Sequence, residues 1–240
     1  MQTPKGHQHP ISLMIAEIND IFSKVGFSFV EGPELETEIY NFDRLNVPKD
    51  HSSRDMQDTF WLRKEDVSEP MVMRTHTSPV QARHMETHKP PIRIIAPGKV
   101  FRNEATDATH EAQFYQLEGL CVDKDINLGH LKGILEYFFS EFFKGKTEIR
   151  FRPSFFPFVE PGFEVDMRLL SGDSKLKGKW VEILGAGMVH PNVLRDSGID
   201  SEKYTGYAFG VGVDRLALMK YEIDDVRTLY TGDLRLVNQF

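Results

Sequence analysis

Strand-like runs follow one another along most of this chain without the regular strand–helix alternation of a parallel fold, and that order constrains its architecture more than any other feature. The runs are Phe60–Leu62, Met71–Arg74, Ile92–Ile95, Lys99–Asn103 and Gln113–Val122, then segments around Glu148–Phe151, Phe163–Leu169 and Trp180–Leu184. Helical patterns fall before, between and after them. Ile11, Ile15, Ile18, Phe22 and Val25 form an apolar stripe stopped by Gly26. Phe27–Val30 reads as a short strand ended by Gly32-Pro33, and Leu35, Ile39 and Phe42 restore helical spacing. Lys49–Asp58 reads as a polar loop. Ser78-Pro79 predicts a helix start with Ser as cap. Asn127 predicts a cap for a helix that puts Leu128, Leu131, Leu135, Phe138 and Phe142 on one face, and a last helix spans about Val213–Tyr221. The expected class is α+β, around a mainly antiparallel sheet flanked by helices. With no internal repeat and no long Gly/Ser linker, residues 1–240 read as one domain.

Composition narrows function by exclusion. Lys and Arg number 29 against 36 Asp and Glu, so the net charge of -7 argues against a general coater of polyanions. A nucleic-acid partner must be bound locally or through another chain. The single cysteine, Cys121, makes neither an internal disulfide nor a Cys-based zinc site and fits a reducing compartment, with the cytoplasm as default. No stretch has the length and apolarity of a membrane span, and residues 1–10 lack the apolar core of a signal peptide.

Two segments could carry chemistry. Phe101-Arg102-Asn103-Glu104 ends a strand and precedes a polar loop; a guanidinium there can clamp a phosphate through two parallel hydrogen bonds, with Glu104 on the same sheet face. Alone, the plainer reading is preferred: an exposed hairpin with a surface Arg–Glu pair. In Ala208-Phe209-Gly210-Val211-Gly212-Val213-Asp214-Arg215, two glycines permit close backbone approach and an Arg follows in the first helical turn. A dinucleotide fingerprint would need Gly where Arg215 stands, so a tightly packed strand-to-helix turn is the alternative. Gly185-Ala186-Gly187 reads as a strand terminus near another backbone. His7-Gln8-His9 reads as solvated and shows no zinc spacing.

Together these segments resemble motifs 1, 2 and 3 of class II aminoacyl-tRNA synthetases, at about residues 9–34, 99–122 and 207–221. More narrowly, the chain resembles the catalytic core of the bacterial phenylalanyl-tRNA synthetase alpha subunit. The matching stretches include Asn41-Phe42-Asp43, Asp58-Thr59-Phe60-Trp61, Arg74-Thr75-His76-Thr77-Ser78-Pro79, Thr106-Asp107-Ala108-Thr109-His110, Phe156-Pro157-Phe158-Val159-Glu160-Pro161 and Gly187-Met188-Val189-His190-Pro191. The resemblance implies ATP-dependent activation of L-phenylalanine and transfer to tRNA(Phe), in a heterotetramer of two alpha and two beta subunits. It implies that Arg102 holds the α-phosphate, that Arg215 faces the far phosphates, that Glu104 and His110 contact ATP, and that Phe114 stacks on adenine. Phe114 as a core strand residue fits equally well.

For the amino acid, the resemblance implies His76, Ser78, Gln81, Gln116 and Glu118 as polar anchors, with Phe156, Phe158, Val159, Ala208 and Gly210 lining an apolar slot. Phe114, Gln116 and Glu118 alternate on one strand and share a face. Phe156 and Phe158 also alternate, although among 18 Phe two core aromatics would be the ordinary reading without the resemblance. His76 taken alone is more commonly a hydrogen-bonded structural histidine. Glu160 is the implied Mg2+ ligand, in a site shared with the beta subunit, and Glu182 is a second carboxylate expected near the phosphates or paired with an Arg.

Three departures stand out. The family's N-terminal coiled-coil arm has no counterpart before the first helix, so a trimmed or naturally short form is expected, with tRNA grip supplied from elsewhere. Asp214 replaces the usual Glu before the motif 3 Arg, and Ser171–Lys179 reads as an enlarged polar hairpin. Two rival readings are a non-catalytic paralogue that binds phenylalanine or its adenylate, and an adenylate-forming enzyme with an acceptor other than tRNA.

Overall fold

A computed structural model describes residues 6–50, 59–171 and 177–240; most of the Lys49–Asp58 loop and the centre of the Ser171–Lys179 hairpin lie outside the described residues. Helix α1 (Pro10–Ser23) buries Ile11, Met14, Ile18, Ile21 and Phe22, and Gly26 closes it in the left-handed region at φ 83°. The short strand β1 (Ser28–Phe29) follows. Strand β2 (Leu35–Thr37) and the single-turn helix α2 (Glu38–Asn41) replace the helix expected from Leu35, Ile39 and Phe42. The apolar spacing misled because Leu35 and Ile39 are exposed, while the chain breaks to pair β2 with β3 (Met71–Met73). Of Phe60–Leu62 only Trp61 is bridged, to Val72.

Helix α3 (Pro79–Thr87) leads into β4 (Ile92–Phe101) and β5 (Gln113–Asp123). After α4 (Leu128–Phe143) come β6 (Thr147–Phe156), β7 (Val159–Leu169) and β8 (Val181–Val189), then α5 (Pro191–Asp196), β9 (Thr205–Gly212), α6 (Val213–Tyr221) and α7 (Leu234–Val237). Seven strands form one sheet in the order β1-β4-β5-β9-β8-β7-β6, with only β1–β4 parallel. The mainly antiparallel α+β expectation therefore holds.

The two sheet faces do different work. Leu117, Cys121, Tyr207, Phe209 and Val211 face a helical layer, where Phe22 of α1 stacks on Phe138 of α4 at 5.0 Å and on Phe209 at 5.7 Å. Leu120, Val122 and Ala208 face a smaller cluster with Met85 of α3 and Val193 and Leu194 of α5. Because side chains alternate along a strand, Gln116, Glu118 and Gly210 lie on this second face as well. Asn127 caps α4 as expected, in a reciprocal arrangement with His130.

Other local expectations change. Ile92–Ile95 and Lys99–Asn103 are one strand that runs through Pro97. β1 covers β4 only at Ile94 and Ile95, so beyond them β4 has an open edge that tolerates the missing N–H. β9, read from sequence as a turn, is an eight-residue strand near the middle of the sheet. Gly185-Ala186-Gly187 is no terminus but the interior of β8, opposite β9. His9 is not simply solvated: its Nδ1 accepts from Ile11 N at 3.2 Å as the α1 cap, and Nε2 lies 2.8 Å from Leu229 O.

Candidate active site

A cavity of about 310 Å³ opens on the second sheet face. Its base is made by β5, β8 and β9, one wall by the first turn of α3, and another by the tip of the β6–β7 hairpin. At one end Glu118 is 5% exposed and accepts hydrogen bonds from Gln116 Nε2 at 2.7 Å, Gln81 Nε2 at 2.9 Å and the Ser78 hydroxyl. Ser78 does not cap α3 with its side chain: its hydroxyl is turned to donate to the Glu118 carboxylate, and its oxygen accepts from no helix N–H. Burial pushes the Glu118 carboxyl up to about 8, against the opposing pull of Ser78, Arg102 and Gln81.

His76 is fully enclosed beside this group, with Nδ1 unpartnered, and burial together with the Arg102 charge pulls it down to about 3, so it is neutral at physiological pH. Arg102 enters from the end of β4. Its Nε donates to Thr75 O at 3.1 Å, its guanidinium covers the Phe114 ring at 5.1 Å, and Glu104 lies 4.0 Å away. Burial lowers its pKa, and the Glu104 and Glu118 charges oppose that shift. Arg215 lines the cavity from the first turn of α6 and is exposed. Beside it the buried Asp214 accepts from Tyr115 N at 2.7 Å and from the Tyr230 hydroxyl, so the shorter carboxylate still ties α6 to β5.

The apolar part is lined by Phe156, Phe158, Val159 and Ala208. The two Phe rings stack at 5.9 Å and 23°. They converge across the hairpin tip between β6 and β7, and not by alternation along one strand. Gly210 belongs to the carboxylate end: a Cβ there would fall 2.5 Å from Glu118 Oε1. The site thus joins a buried carboxylate with neutral donors, an aromatic slot and two guanidiniums.

A family profile described as "tRNA synthetases class II core domain (F)" matches residues 1–240. Phenylalanine–tRNA ligase alpha subunits from Alkaliphilus metalliredigens, Bacillus subtilis and Chlorobium phaeobacteroides are 54%, 52% and 50% identical to this chain. Each alignment covers 98% of the chain and 69%, 69% and 70% of the relative. The chain belongs to the phenylalanine–tRNA ligase alpha-subunit family. The fold is shared more widely: the crystal structure of pyrrolysyl-tRNA synthetase from Desulfitobacterium hafniense superposes with a TM-score of 0.69 at 17% identity, covering 93% of this chain and 74% of that one.

In this member of the alpha-subunit family, thirteen residues named from sequence converge on the cavity: His76, Ser78, Gln81, Arg102, Gln116, Glu118, Phe156, Phe158, Val159, Glu182, Ala208, Gly210 and Arg215. Four do not line it. Phe114 lies under Arg102, Glu104 is beside Arg102, and His110 is exposed in the loop after β4, 3.0 Å from Asp107. Glu160 is exposed at the start of β7. Among the described residues no group of three or more His, Cys, Asp or Glu could hold a metal ion. Magnesium is commonly held by one or two carboxylates together with substrate phosphates, and Glu160 is an exposed carboxylate of that kind.

Sequence reasoning missed Leu45, Val189, Val193 and Glu164, which also line the cavity. Glu164 and Glu182 share the guanidinium of Arg152 at 2.8 and 3.0 Å, so Glu182 has an Arg partner and also lines the cavity. The only sequence signal for the Leu45 turn was Asn41-Phe42-Asp43 nearby. Asn41 is buried, donating to Thr75 Oγ1 at 3.0 Å and accepting from Thr75 N at 3.2 Å.

Proposed function

We propose that residues 1–240 act as one catalytic domain, with the three class II motifs at about 9–34, 99–122 and 207–221, that joins L-phenylalanine to ATP and passes the acyl group to tRNA(Phe). The observation that carries this reading is the buried Glu118 carboxylate, close enough to Arg102 for each charge to act on the other, at one end of an aromatic slot. The α-ammonium goes to Glu118, with Gln116, Gln81 and Ser78 sharing its oxygens and His76 enclosing it as a neutral ring. The phenyl ring fills the slot between Phe156, Phe158, Val159 and Ala208. The substrate carboxylate is then directed toward Arg102, the α-phosphate clamp, while Arg215 takes the far phosphates and Phe114, Glu104 and His110 serve the nucleotide.

The first step is in-line: a carboxylate oxygen bonds to the α-phosphorus, the bond to the bridging oxygen breaks, and pyrophosphate leaves with that electron pair. No enzyme nucleophile is needed; positioning and charge stabilisation supply the rate. In the second step a terminal ribose hydroxyl attacks the adenylate carbonyl carbon and AMP departs. The partners are the beta subunit, in an assembly of two alpha and two beta chains, and the tRNA. The place of action is the cytoplasm, and among the described residues no helix is long and apolar enough to cross a membrane. A Glu160-bound Mg2+ would take its other ligands from outside this chain.

Phenylalanine-dependent exchange of pyrophosphate into ATP, measured with the beta subunit present, tests the reading. Arg102→Ala and Arg215→Ala should each lower the exchange rate by an amount equivalent to about 2.7–4 kcal/mol. No exchange by folded wild-type protein would sink it and favour a binding-only paralogue; exchange without tRNA charging would favour another acceptor.

A further inference from the structure

Arg74 stands outside the cavity yet is only 4% exposed, and its guanidinium lies across β4 at Gly98, where a Cβ would fall 2.2 Å from Nη2. Its Nε donates to Lys99 O at 2.7 Å, and Nη1 donates to Gly32 O at 3.0 Å and Pro33 O at 3.3 Å. The main chain of the same residue continues the tie: Arg74 N donates to Glu34 O and Arg74 O accepts from Phe101 N, both at 2.9 Å. One residue on, Thr75 O accepts from Arg102 Nε. A single buried cation thus staples three segments, 32–34, 74–75 and 99–102, and the carbonyl that aims the Arg102 side chain is adjacent to it. The planar fork of Arg spreads its donors to carbonyls on two sides at once, whereas a Lys ammonium concentrates its three donors at one point.

We infer that Arg74 is a positioning residue for the phosphate clamp, acting through Thr75 on Arg102 and, along the same segment, on Ser78. It rests on the site reading above. A buried, carbonyl-held guanidinium is a costly device for mere cohesion, since apolar packing of equal volume serves that purpose as well. Here its side-chain bonds hold Gly32, Pro33 and Lys99, and its own carbonyl takes the N–H of Phe101, the residue before the clamp.

The test is a double-mutant cycle in the phenylalanine-dependent exchange assay, using the alpha chain with its beta subunit. Arg74→Gln should lower kcat about 100-fold, the scale expected for a misplacement of about 1 Å at a reacting centre. In an Arg102→Ala background the same change should lower it by less than about threefold, because the group being positioned is already gone. Arg74→Lys should fall between wild type and Gln in kcat. Gly98→Ala, which pushes the guanidinium aside without removing it, should reproduce the loss and the non-additivity. Thermal melting and near-UV dichroism of each variant report folding, and Arg74→Lys and Gly98→Ala carry the test if Arg74→Gln does not fold. Losses that multiply fully in the Arg102→Ala background, or wild-type kcat in folded variants, would overturn the inference. Absence of exchange in wild type would instead overturn the site reading, and this inference with it.

Discussion

In the proposed reading, the site's selectivity turns on the carboxyl of Glu118. In the free site burial holds it up to about 8, while His76 is held down to about 3. Below about 8 Glu118 is therefore mostly protonated before substrate arrives, and binding an α-ammonium must expel that proton. kcat/KM for phenylalanine should rise with pH to about 8 and then level, with no inflection from His76 above about 3. Calorimetry in buffers of different ionisation enthalpy should count close to one proton released at pH 7. A pH-independent kcat/KM would refute the assignment, and Glu118→Gln should abolish the slope and weaken phenylalanine binding by about 1.5–3 kcal/mol. At the opposite end Ala208 is 7% exposed and faces Gly187 across the β8–β9 pair. Ala208→Gly should lengthen the slot enough to admit para-chlorophenylalanine in the exchange assay; continued exclusion of that ring would place the end of the slot elsewhere. Strand alternation made Gln116 with Glu118 legible in sequence. The Ser78 hydroxyl was not, because a Ser before Pro satisfies a helix cap equally well until a buried carboxylate is known to compete for it. Leu45 and Glu164 come from segments whose approach to the cavity depends on tertiary packing alone.

At the scale of elements, β9 decides whether a cavity exists at all. Its neighbours β5 and β8 present Gln116, Glu118 and Gly185, and β9 sets the small residues Ala208 and Gly210 between them. A side chain at Gly210 would occupy the space of the carboxylate end, 2.5 Å from Glu118 Oε1 and 3.0 Å from Gln116 Nε2. Gly210→Ala should consequently leave the sheet folded, with the melting temperature within a few degrees of wild type, while phenylalanine binding falls at least about tenfold. Melting and a binding titration on the same sample separate the two effects; unchanged affinity would show that Gly210 serves strand packing only. The glycines that open this site are also why β9 escaped the sequence reading. Gly206, Gly210 and Gly212 lower strand propensity, and the strand persists because both edges are paired and Tyr207, Phe209 and Val211 are buried against the helical layer. α1 and α4 were legible because each carries its own apolar stripe, and Gly26 and Asn127 mark their ends. The α2 region was not, since its apparent stripe includes the exposed Leu35 and Ile39.

For the whole molecule, charge and fold place different limits on the two half-reactions. Activation needs positive charge only where a triphosphate lies, and in the proposed reading Arg102 and Arg215, which line the cavity, supply it within a chain of net charge -7. Gripping the body of a tRNA is a different task, because affinity for a polyphosphate grows with the number of counterions released, and a protein making 6–10 phosphate contacts loses about 10³–10⁵ in affinity between 50 and 200 mM salt. An acidic surface repels such a ligand beyond the site, and at physiological ionic strength the repulsion is screened only over distances greater than about 8 Å. The alpha chain alone should bind tRNA weakly and with a shallow salt dependence, whereas addition of the beta subunit should raise both the affinity and the slope. Filter binding at 50 and 200 mM salt, with and without the beta subunit, measures both. Phenylalanine-dependent exchange in the complex should be nearly unchanged by tRNA over the same range. Tight, steeply salt-dependent binding by the alpha chain alone would mean that basic residues on this chain, despite the overall acidity, form a tRNA surface of their own.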